Sequence, residues 1–205
     1  MTDPTAITID TYRRHVAAFN RDRDRSLFER SWLDRFLAAM PEGRRVLDIG
    51  CGMGEPIARY LIDKECQVTG VDTSPGMLDL CRSRYPEHEW IEADMRTLDL
   101  GRSFDGLIAF DSFFFLTWAE QPEMFPVFAA HAAPGAPLLF TSGPEYGEAF
   151  SIFEGEPVHH ASLAPETYRE LLDGNGFDVI DFVPEDPDCN GHSVWLAKRR
   201  YDPAS

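Results

Sequence analysis

The sequence is poor in basic residues and in cysteine, and it contains no long apolar run. Nineteen Lys and Arg residues stand against 35 Asp and Glu residues among 205, which gives a formal net charge of −16. A chain with this much negative charge repels polyanions, and we therefore predict no nucleic-acid partner. No apolar segment approaches the roughly 18 residues of a membrane-spanning helix, and the N-terminus lacks a signal-peptide pattern. We therefore also predict no membrane partner.

The cysteines do not form Cys-x-x-Cys pairs, so they indicate neither a zinc site nor a redox motif. His192 follows two aspartates, but a single histidine is a weak basis for a metal site, and we predict none. Reduced thiols are typical of cytoplasmic enzymes, which is the location we expect. The four cysteines are Cys51, Cys66, Cys81 and Cys189.

The most informative segment, residues 46–54, reads Val-Leu-Asp-Ile-Gly-Cys-Gly-Met-Gly. Gly50, Gly52 and Gly54 follow a short apolar strand and leave no side chain between the backbone and a ligand. A dinucleotide-binding Gly-x-Gly-x-x-Gly pattern would need glycine where Glu55 stands, and a carboxylate there repels a pyrophosphate. No Gly-Lys-Ser/Thr follows, which excludes a P-loop. The turn therefore favours a cofactor without phosphates.

A second strand, residues 67–72, ends in a carboxylate. Asp72 lies 18 positions after Gly54. An acidic residue about 20 positions beyond a glycine turn is placed to accept hydrogen bonds from the hydroxyls of a ribose. The turn and the carboxylate together predict a nucleoside-type cofactor.

With these motifs the chain resembles the class I S-adenosylmethionine-dependent methyltransferases. The resemblance implies S-adenosyl-L-methionine as the cofactor and S-adenosyl-L-homocysteine as the product. Beyond the glycine-rich motif it rests on five further segments within residues 45–199. They are similar to the ribose-binding segment (70–77), the adenine-binding turn (91–95), strand 4, whose end faces the methyl group (104–111), strand 5 (138–141) and the late helix with its turn into strand 6 (164–177).

Alternating strands and helices predict an α/β fold with a mostly parallel sheet covered on both faces. We expect strands near 45–49, 67–72, 89–93, 105–110, 136–142, 178–183 and 193–198, and helices near 55–63, 75–84, 121–132 and 165–174. Only about ten residues separate the last two strands, which suits an antiparallel pair. The prediction is a Rossmann-like, doubly wound, seven-stranded sheet whose last strand is antiparallel.

We predict a single methyltransferase domain over residues 1–205. Residues 1–43 would form an N-terminal helical lid, with one helix beginning at Asp10 or Thr11 and a second near 26–40. Residues 44–199 would form the Rossmann-like core. The segment 143–164 lacks clear periodicity, and we predict it to be an irregular second lid.

The resemblance implies a set of cofactor-binding residues. Asp48 would engage the amino end of the cofactor, Asp72 the ribose hydroxyls and Asp94 the adenine amino group. For two residues an interpretation other than cofactor binding stays open. Tyr12 could instead pack the N-terminal helix, and Met77 could instead belong to the core. The full set is Tyr12, Asp48, Gly50, Cys51, Gly52, Gly54, Asp72, Thr73, Met77, Asp94, Met95 and Phe110.

The acceptor site is less clearly indicated. Many small-molecule methyltransferases that this chain resembles carry a histidine after strand 4, but here that run is Phe113, Phe114 and Phe115. The candidate catalytic residues are Asp111, His159 and His160, because histidine titrates near neutral pH. The alternative for the two histidines is a surface pair. Phe114, Phe115, Trp118 and Tyr146 are the predicted substrate-binding residues.

The leading functional hypothesis is methyl transfer to an N or O atom of a small-molecule acceptor, by a monomer or homodimer. A protein or RNA methyltransferase is the first alternative, although the acidic charge disfavours RNA and no Asn-Pro-Pro-Tyr motif follows strand 4. A non-catalytic, cofactor-binding protein is the second alternative.

Overall fold

The computed structural model describes residues 3–201. The helices are α1 Pro4–Arg14, α2 Val16–Asp22, α3 Arg30–Ala39, α4 Ile57–Asp63, α5 Pro75–Arg84, α6 Met124–His131 and α7 Pro165–Gly174. The strands are β1 Arg45–Ile49, β2 Gln67–Asp72, β3 Glu89–Glu92, β4 Gly106–Ala109, β5 Pro137–Ser142, β6 Gly147–Phe153, β7 Glu156–Ser162, β8 Phe177–Asp186 and β9 His192–Arg199. Within these residues no helix is both long and apolar enough to cross a membrane.

Seven of the strands form one sheet in the order β3-β2-β1-β4-β5-β9-β8. Strands β1 to β5 are mutually parallel, whereas β9 runs antiparallel to both of its neighbours, β5 and β8. The chain order reverses between β1 and β4, the position at which open α/β sheets bind ligands. The predicted fold class is confirmed, including the antiparallel last strand.

Helices cover both faces of the sheet because successive strand residues point to opposite sides. Val46 packs with Leu33 and Phe36 of α3 and with residues of α4 and α5. Leu47 packs on the other face with Phe128 of α6 and with residues of α7. Two apolar cores thus hold the strands from either side, and burial of their side chains provides the main driving force for this arrangement.

The N-terminal helix begins earlier than predicted. Asp3 caps α1 by accepting a hydrogen bond from Thr5 N at 3.0 Å, and Pro4 occupies the first helical position. Both features are favourable at a helix start. The expectation of a start at Asp10 or Thr11 is therefore wrong, since both residues lie inside α1.

The segment 143–164 is more regular than predicted. It contains a β-hairpin of β6 and β7, with Glu154 and Gly155 at the turn in left-handed conformations (φ 50° and 81°). Phe150 and Ile152 are 62% and 71% exposed, while Phe153 packs inward against Tyr12. Because apolar side chains occupy both faces of β6, the sequence shows no clean alternation, and the strand was missed for that reason.

Candidate active site

A cavity of about 330 Å³ lies at the carboxyl ends of the strands around the reversal between β1 and β4. Side chains of α1 and α2 line it from the opposite side. Among the residues predicted from sequence, the cavity brings together Tyr12, Asp48, Gly50, Cys51, Gly52, Asp72, Thr73, Met77, Asp94, Met95, Phe110, Asp111, Phe114, Phe115 and His160.

Two glycines of the turn after β1 have different surroundings. At Gly52 (φ +52°) an added Cβ would meet only the Phe19 ring, at 3.6 Å, so the backbone there faces the open space under α2. At Gly54 (φ +78°) an added Cβ would lie 3.2 Å from Cys81 Sγ on α5. Gly54 is not among the residues that line the cavity. Its place in the structure is therefore the packing of the turn against α5.

Asp72 ties two loops together at the floor of the cavity. Its Oδ2 accepts a hydrogen bond from Gly52 N at 2.9 Å, and its Oδ1 accepts one from Ser74 N at 2.8 Å. Burial raises the pKa of Asp72. Burial, together with the neighbouring Asp72 carboxylate, also raises the pKa of Asp48 to about 7. Two adjacent carboxyl groups, Asp48 buried and Asp72 half-buried, make this part of the cavity favourable for a cation.

Asp94, after β3, is fixed by Arg96. It accepts hydrogen bonds from Arg96 N at 3.0 Å and from Arg96 Nη2 at 2.6 Å. Burial raises the pKa of Asp94, but the bonds from Arg96 outweigh burial and leave the pKa lowered. The same guanidinium contacts Glu120 at 2.6 Å. Asp94 is therefore an anchored, ionised acceptor beside Met95.

Aromatic rings from the N-terminal helices and the hairpin meet over the cavity. The Tyr12 ring lies 5.6 Å from Phe19, 5.4 Å from Phe115 and 5.3 Å from Phe153, measured between ring centroids. Burial, with a contribution from Asp111, raises the pKa of Tyr12 to about 12. The Tyr12 hydroxyl is therefore a hydrogen-bond donor throughout the physiological pH range.

Glu156, the first residue of β7, joins the hairpin to the N-terminal helices. Its carboxylate accepts a hydrogen bond from Thr11 Oγ1 at 3.2 Å, lies 2.9 Å from His15 Nε2 and pairs with Arg14. The ring cluster and these polar contacts hold the two segments together above the sheet.

Asp111 follows β4 in a left-handed conformation (φ 52°), with its backbone N–H bonded to Thr141 Oγ1 at 2.9 Å. Arg23 Nη1 donates to Asp111 Oδ2 at 3.1 Å. His192 Nε2 lies 3.0 Å from Oδ1, a charge contact without an aligned hydrogen bond. The pKa of Asp111 is raised by burial and, more strongly, lowered by His192 and Arg23. Arg23 and His192 line the cavity, and sequence reasoning assigned neither to it.

The two candidate histidines of β7 have different environments. His160 lines the cavity, stacks on Phe114 at 5.3 Å, and has its pKa lowered chiefly by burial. His159 is 2% exposed, and its Nε2 lies 2.7 Å from Glu148. His159 does not line the cavity, so its position gives no support to a role as base.

Trp118 and Tyr146 also lie outside the cavity lining. Their rings stack on each other at 5.0 Å, and Trp118 Nε1 donates to Gly147 O at 3.0 Å. Tyr146 is 59% exposed. Both residues pack at the base of the hairpin rather than against the space where an acceptor would enter.

Comparison with known proteins gives consistent results. Residues 46–135 match the family model described as a methyltransferase domain. The chain is 29% identical over 171 residues to a malonyl-[acyl-carrier protein] O-methyltransferase of Enterobacter lignolyticus, an alignment covering 78% of this chain and 67% of that relative. Several other curated relatives are matched over a smaller share of their own length.

Solved structures share the fold. CalS10, an amino pentose methyltransferase from Micromonospora echinaspora, superposes with a TM-score of 0.70 at 24% identity, covering 89% of this chain and 95% of that one. The CcbJ methyltransferase from Streptomyces caelestis gives 0.73 at 17% identity, covering 98% and 100%. The motifs, the strand order and these comparisons show that residues 46–135 match a methyltransferase domain, within a fold shared with class I S-adenosylmethionine-dependent methyltransferases. The methyl donor of this class is S-adenosylmethionine.

Proposed function

We propose that the protein transfers the methyl group of S-adenosylmethionine to an N or O atom of a small molecule. The observation that carries this proposal is the shared cavity: Asp72 and Asp94 line it together with Asp111 and the Phe114–Phe115 wall. A nucleoside cofactor and an acceptor would therefore share one cavity.

The residues present fit the cofactor. Asp72 would accept hydrogen bonds from the ribose hydroxyls, since among residues 3–201 each of its oxygens accepts one hydrogen bond and a carboxylate oxygen has a second lone pair. Asp94 would accept from the adenine amino group. Asp48 would face the amino end of the cofactor, where a cation offsets the cost of its burial. The bare backbone at Gly52 would leave room for the ligand.

When bound, the sulfonium supplies an already activated methyl group. The protein's part is then to align the acceptor atom, an effect that in favourable cases is worth about 7–11 kcal/mol. Tyr12 and Phe19 would exclude water from above, because their rings pack together over the cavity. Phe114 and Phe115 would hold the apolar part of the acceptor.

Two further features support a small acceptor. The helices before residue 43 and the hairpin within 143–164 would act as lids of one methyltransferase domain, which limits the size of what can enter. The relatives include an O-methyltransferase and, in Saccharopolyspora spinosa, a dTDP-amino-sugar N,N-dimethyltransferase, and these names support both kinds of acceptor atom. The state of assembly, monomer or homodimer, stays a prediction.

The proposal is tested in two steps. Calorimetric titration with S-adenosylhomocysteine is expected to show micromolar binding, and absence of binding would contradict the cofactor site. The protein is then incubated with methyl-labelled S-adenosylmethionine and a cell extract separated by size. We expect label in the small-molecule fraction; label confined to protein or RNA would reverse the assignment of the acceptor class.

A further inference from the structure

Four ionisable side chains form a connected cluster at the Asp111 end of the cavity. Arg23 bridges Asp111 and Glu29, with Nη1 at 3.1 Å from Asp111 Oδ2 and Nη2 at 3.2 Å from Glu29 Oε1. His192 Nε2 completes the cluster at 3.0 Å from Asp111 Oδ1. Glu29 is fully buried, and its Oε2 has no hydrogen-bond partner among residues 3–201. Such a buried cluster is costly to assemble and is typical of functional sites.

The cluster is unfavourable for an anionic acceptor. A carboxylate is best bound by the two parallel N–H groups of a free guanidinium. Both terminal nitrogens of Arg23 are already bonded to carboxylates of the protein. An entering carboxylate would also approach the negative charge of Asp111. The charge arrangement therefore opposes a carboxylate as the group that is methylated.

The same surroundings favour a cationic acceptor. Asp111 Oδ1 is buried 3.0 Å from His192 Nε2, but the side chain as a whole is 18% exposed and lines the cavity. Among residues 3–201 its Oδ2 accepts one hydrogen bond, from Arg23, so a second lone pair is available for a further donor. The rings of Tyr12, Phe114 and Phe115 line the same cavity, and aromatic faces attract ammonium groups. An ammonium group would satisfy Asp111 and lie against these rings.

His192 is oriented to take a proton. Its Nδ1 lies 2.9 Å from the carbonyl oxygen of Cys189, which can only accept, so Nδ1 carries a hydrogen. In neutral His192 the free lone pair is therefore on Nε2, the atom that faces Asp111. The ring is held between Phe28 and Phe110, at centroid distances of 5.2 and 5.6 Å.

We propose that the acceptor is an amine, that Asp111 binds it as an ammonium ion, and that His192 Nε2 removes the proton that blocks its nitrogen. This inference rests on the function proposed above. The ammonium N–H bond breaks and its proton goes to Nε2, leaving the electron pair on nitrogen. That pair then forms the N–C bond to the methyl group while the electrons of the C–S bond return to sulfur.

The proposal predicts a pH dependence set by the surroundings of His192. Burial lowers the pKa of His192, but the Asp111 carboxylate and the Cys189 carbonyl more than offset this, with a further contribution from Glu29, so the pKa is raised. The charged and titratable groups that face this pair are Asp111 after β4, Arg23 and Glu29 between α2 and α3, the Cys189 thiol, and Tyr12 and His160 on the Asp111 side. Removal of a proton by His192 requires its neutral form. Turnover should therefore rise with pH through the His192 pKa.

The variants Asp111→Asn and His192→Gln test the two roles. Asp111→Asn should lower kcat/KM by about 100-fold or more, since it removes the charge that binds the ammonium and supports the proton transfer. His192→Gln should lower kcat by about 10²-fold and abolish the rise with pH. His88→Gln is the control variant, because His88 accepts a hydrogen bond from Val68 N in β2 and does not line the cavity. All variants should bind S-adenosylhomocysteine as the wild type does. NMR titration should place the His192 pKa lower in Asp111→Asn than in the wild type.

The chemistry of the labelled product separates this inference from the proposed function. The wild-type protein is incubated with methyl-labelled S-adenosylmethionine and the small-molecule fraction of a cell extract, and the products are treated with mild alkali. An N-methyl product keeps its label and binds a cation exchanger, as we expect. Label released as volatile methanol indicates a methyl ester, and alkali-stable neutral label an ether. Either result overturns the amine while leaving small-molecule methylation intact, whereas the absence of labelled small molecules overturns both.

Discussion

The part of the cavity proposed to bind the cofactor (the cofactor half) and the part proposed to bind the acceptor (the acceptor half) are built in different ways. In the cofactor half, the turn at residues 50–54 follows β1, Asp72 is the last residue of β2, and Asp94 lies just beyond β3; these three parallel strands are neighbours in the sheet. In the acceptor half, Asp111 meets Arg23 and His192, which come from opposite ends of the chain. A site made of consecutive strand ends leaves a local sequence pattern, whereas a site assembled across the whole fold does not.

The largest effect is expected from Asp72→Ala in the cofactor half. The substitution removes a carboxylate that ties Gly52 to Ser74 and would bind both ribose hydroxyls. Hydrogen bonds to charged groups contribute about 1.5–3 kcal/mol each, so loss of two should weaken S-adenosylhomocysteine binding by about 100-fold or more. Calorimetric titration measures this directly, and circular dichroism checks that the variant is folded.

Asp79→Ala is the matched control, because Asp79 lies on the helix that follows Asp72 but is exposed and, within the described part of the chain, pairs with Arg82 alone. Its affinity for S-adenosylhomocysteine should equal that of the wild type. Equal affinities in the Asp72 and Asp79 variants would mean that the ribose is not bound at the end of β2.

That the residues of the cofactor half lie together could be predicted, because the determinants of their positions are local; their contacts with the cofactor stay a prediction. The glycines at 50 and 52, the carboxylate at Asp72 and the carboxylate at Asp94 follow short apolar strands, and parallel pairing brings the ends of those strands to one edge. Gly54 does not line the cavity, and an added Cβ at Gly50 would lie 2.3 Å from Ser112 Cβ. Glycine at a turn is consistent with either ligand approach or close packing, and only the neighbouring side chains in the folded structure, Cys81 for Gly54 and Ser112 for Gly50, distinguish the two.

Only part of the acceptor half could be predicted, again for physical reasons. Asp111, Phe114, Phe115 and His160 were candidates and line the cavity, whereas Arg23 and His192 were not assigned to it. Arg23 lies in a run of alternating Arg and Asp residues, which is typical of a solvated helix face, and only tertiary contact with Asp111 and Glu29 buries it. His192 lies beyond the last turn of the chain and reaches the cavity because β9 inserts between β5 and β8. The hydrophobic periodicity of the sequence around Arg23 and around His192 gives no indication of these long-range contacts.

The second prediction concerns how protein stability depends on pH. It compares Asp48, a buried carboxyl group in the cavity, with Asp105, which lies outside the cavity. Burial, together with Asp72, raises the pKa of Asp48 from 3.8 to about 7. The unfolded chain therefore loses this proton at lower pH than the folded protein, and stability declines as pH rises from about 4 to about 7. Asp48→Asn should remove that decline and stabilise the cofactor-free protein at pH 8 by about 2–3 kcal/mol. Its affinity for S-adenosylhomocysteine should fall.

Asp105→Asn provides the opposite case. Burial raises the pKa of Asp105, but its hydrogen bonds from Arg45 outweigh burial and leave the pKa lowered. Its ionised form therefore stabilises the fold above its ordinary pKa, and this contribution is lost as pH falls. The free energy of unfolding is measured by urea denaturation at pH 4, 6 and 8. Relative to the wild type, Asp48→Asn should become more stable as pH rises, and Asp105→Asn should become less stable. Parallel behaviour of the two variants would contradict the assigned burial of Asp48.

The smallest effect concerns the lid over both halves. Glu156→Gln weakens the contacts of the hairpin with Arg14 and His15 while keeping an acceptor for Thr11. These contacts are close to solvent, and exposed ion pairs are weak, so we expect S-adenosylhomocysteine to dissociate only about two- to fivefold faster. Stopped-flow displacement measures this rate, and the difference from the wild type should shrink at high salt.

Glu154→Gln, in the same turn and 3.5 Å from Arg21, should leave the rate unchanged, since Arg21 also pairs with Asp22. If both variants release the ligand equally fast, the hairpin turn as a whole, rather than the Glu156 contacts, governs closure.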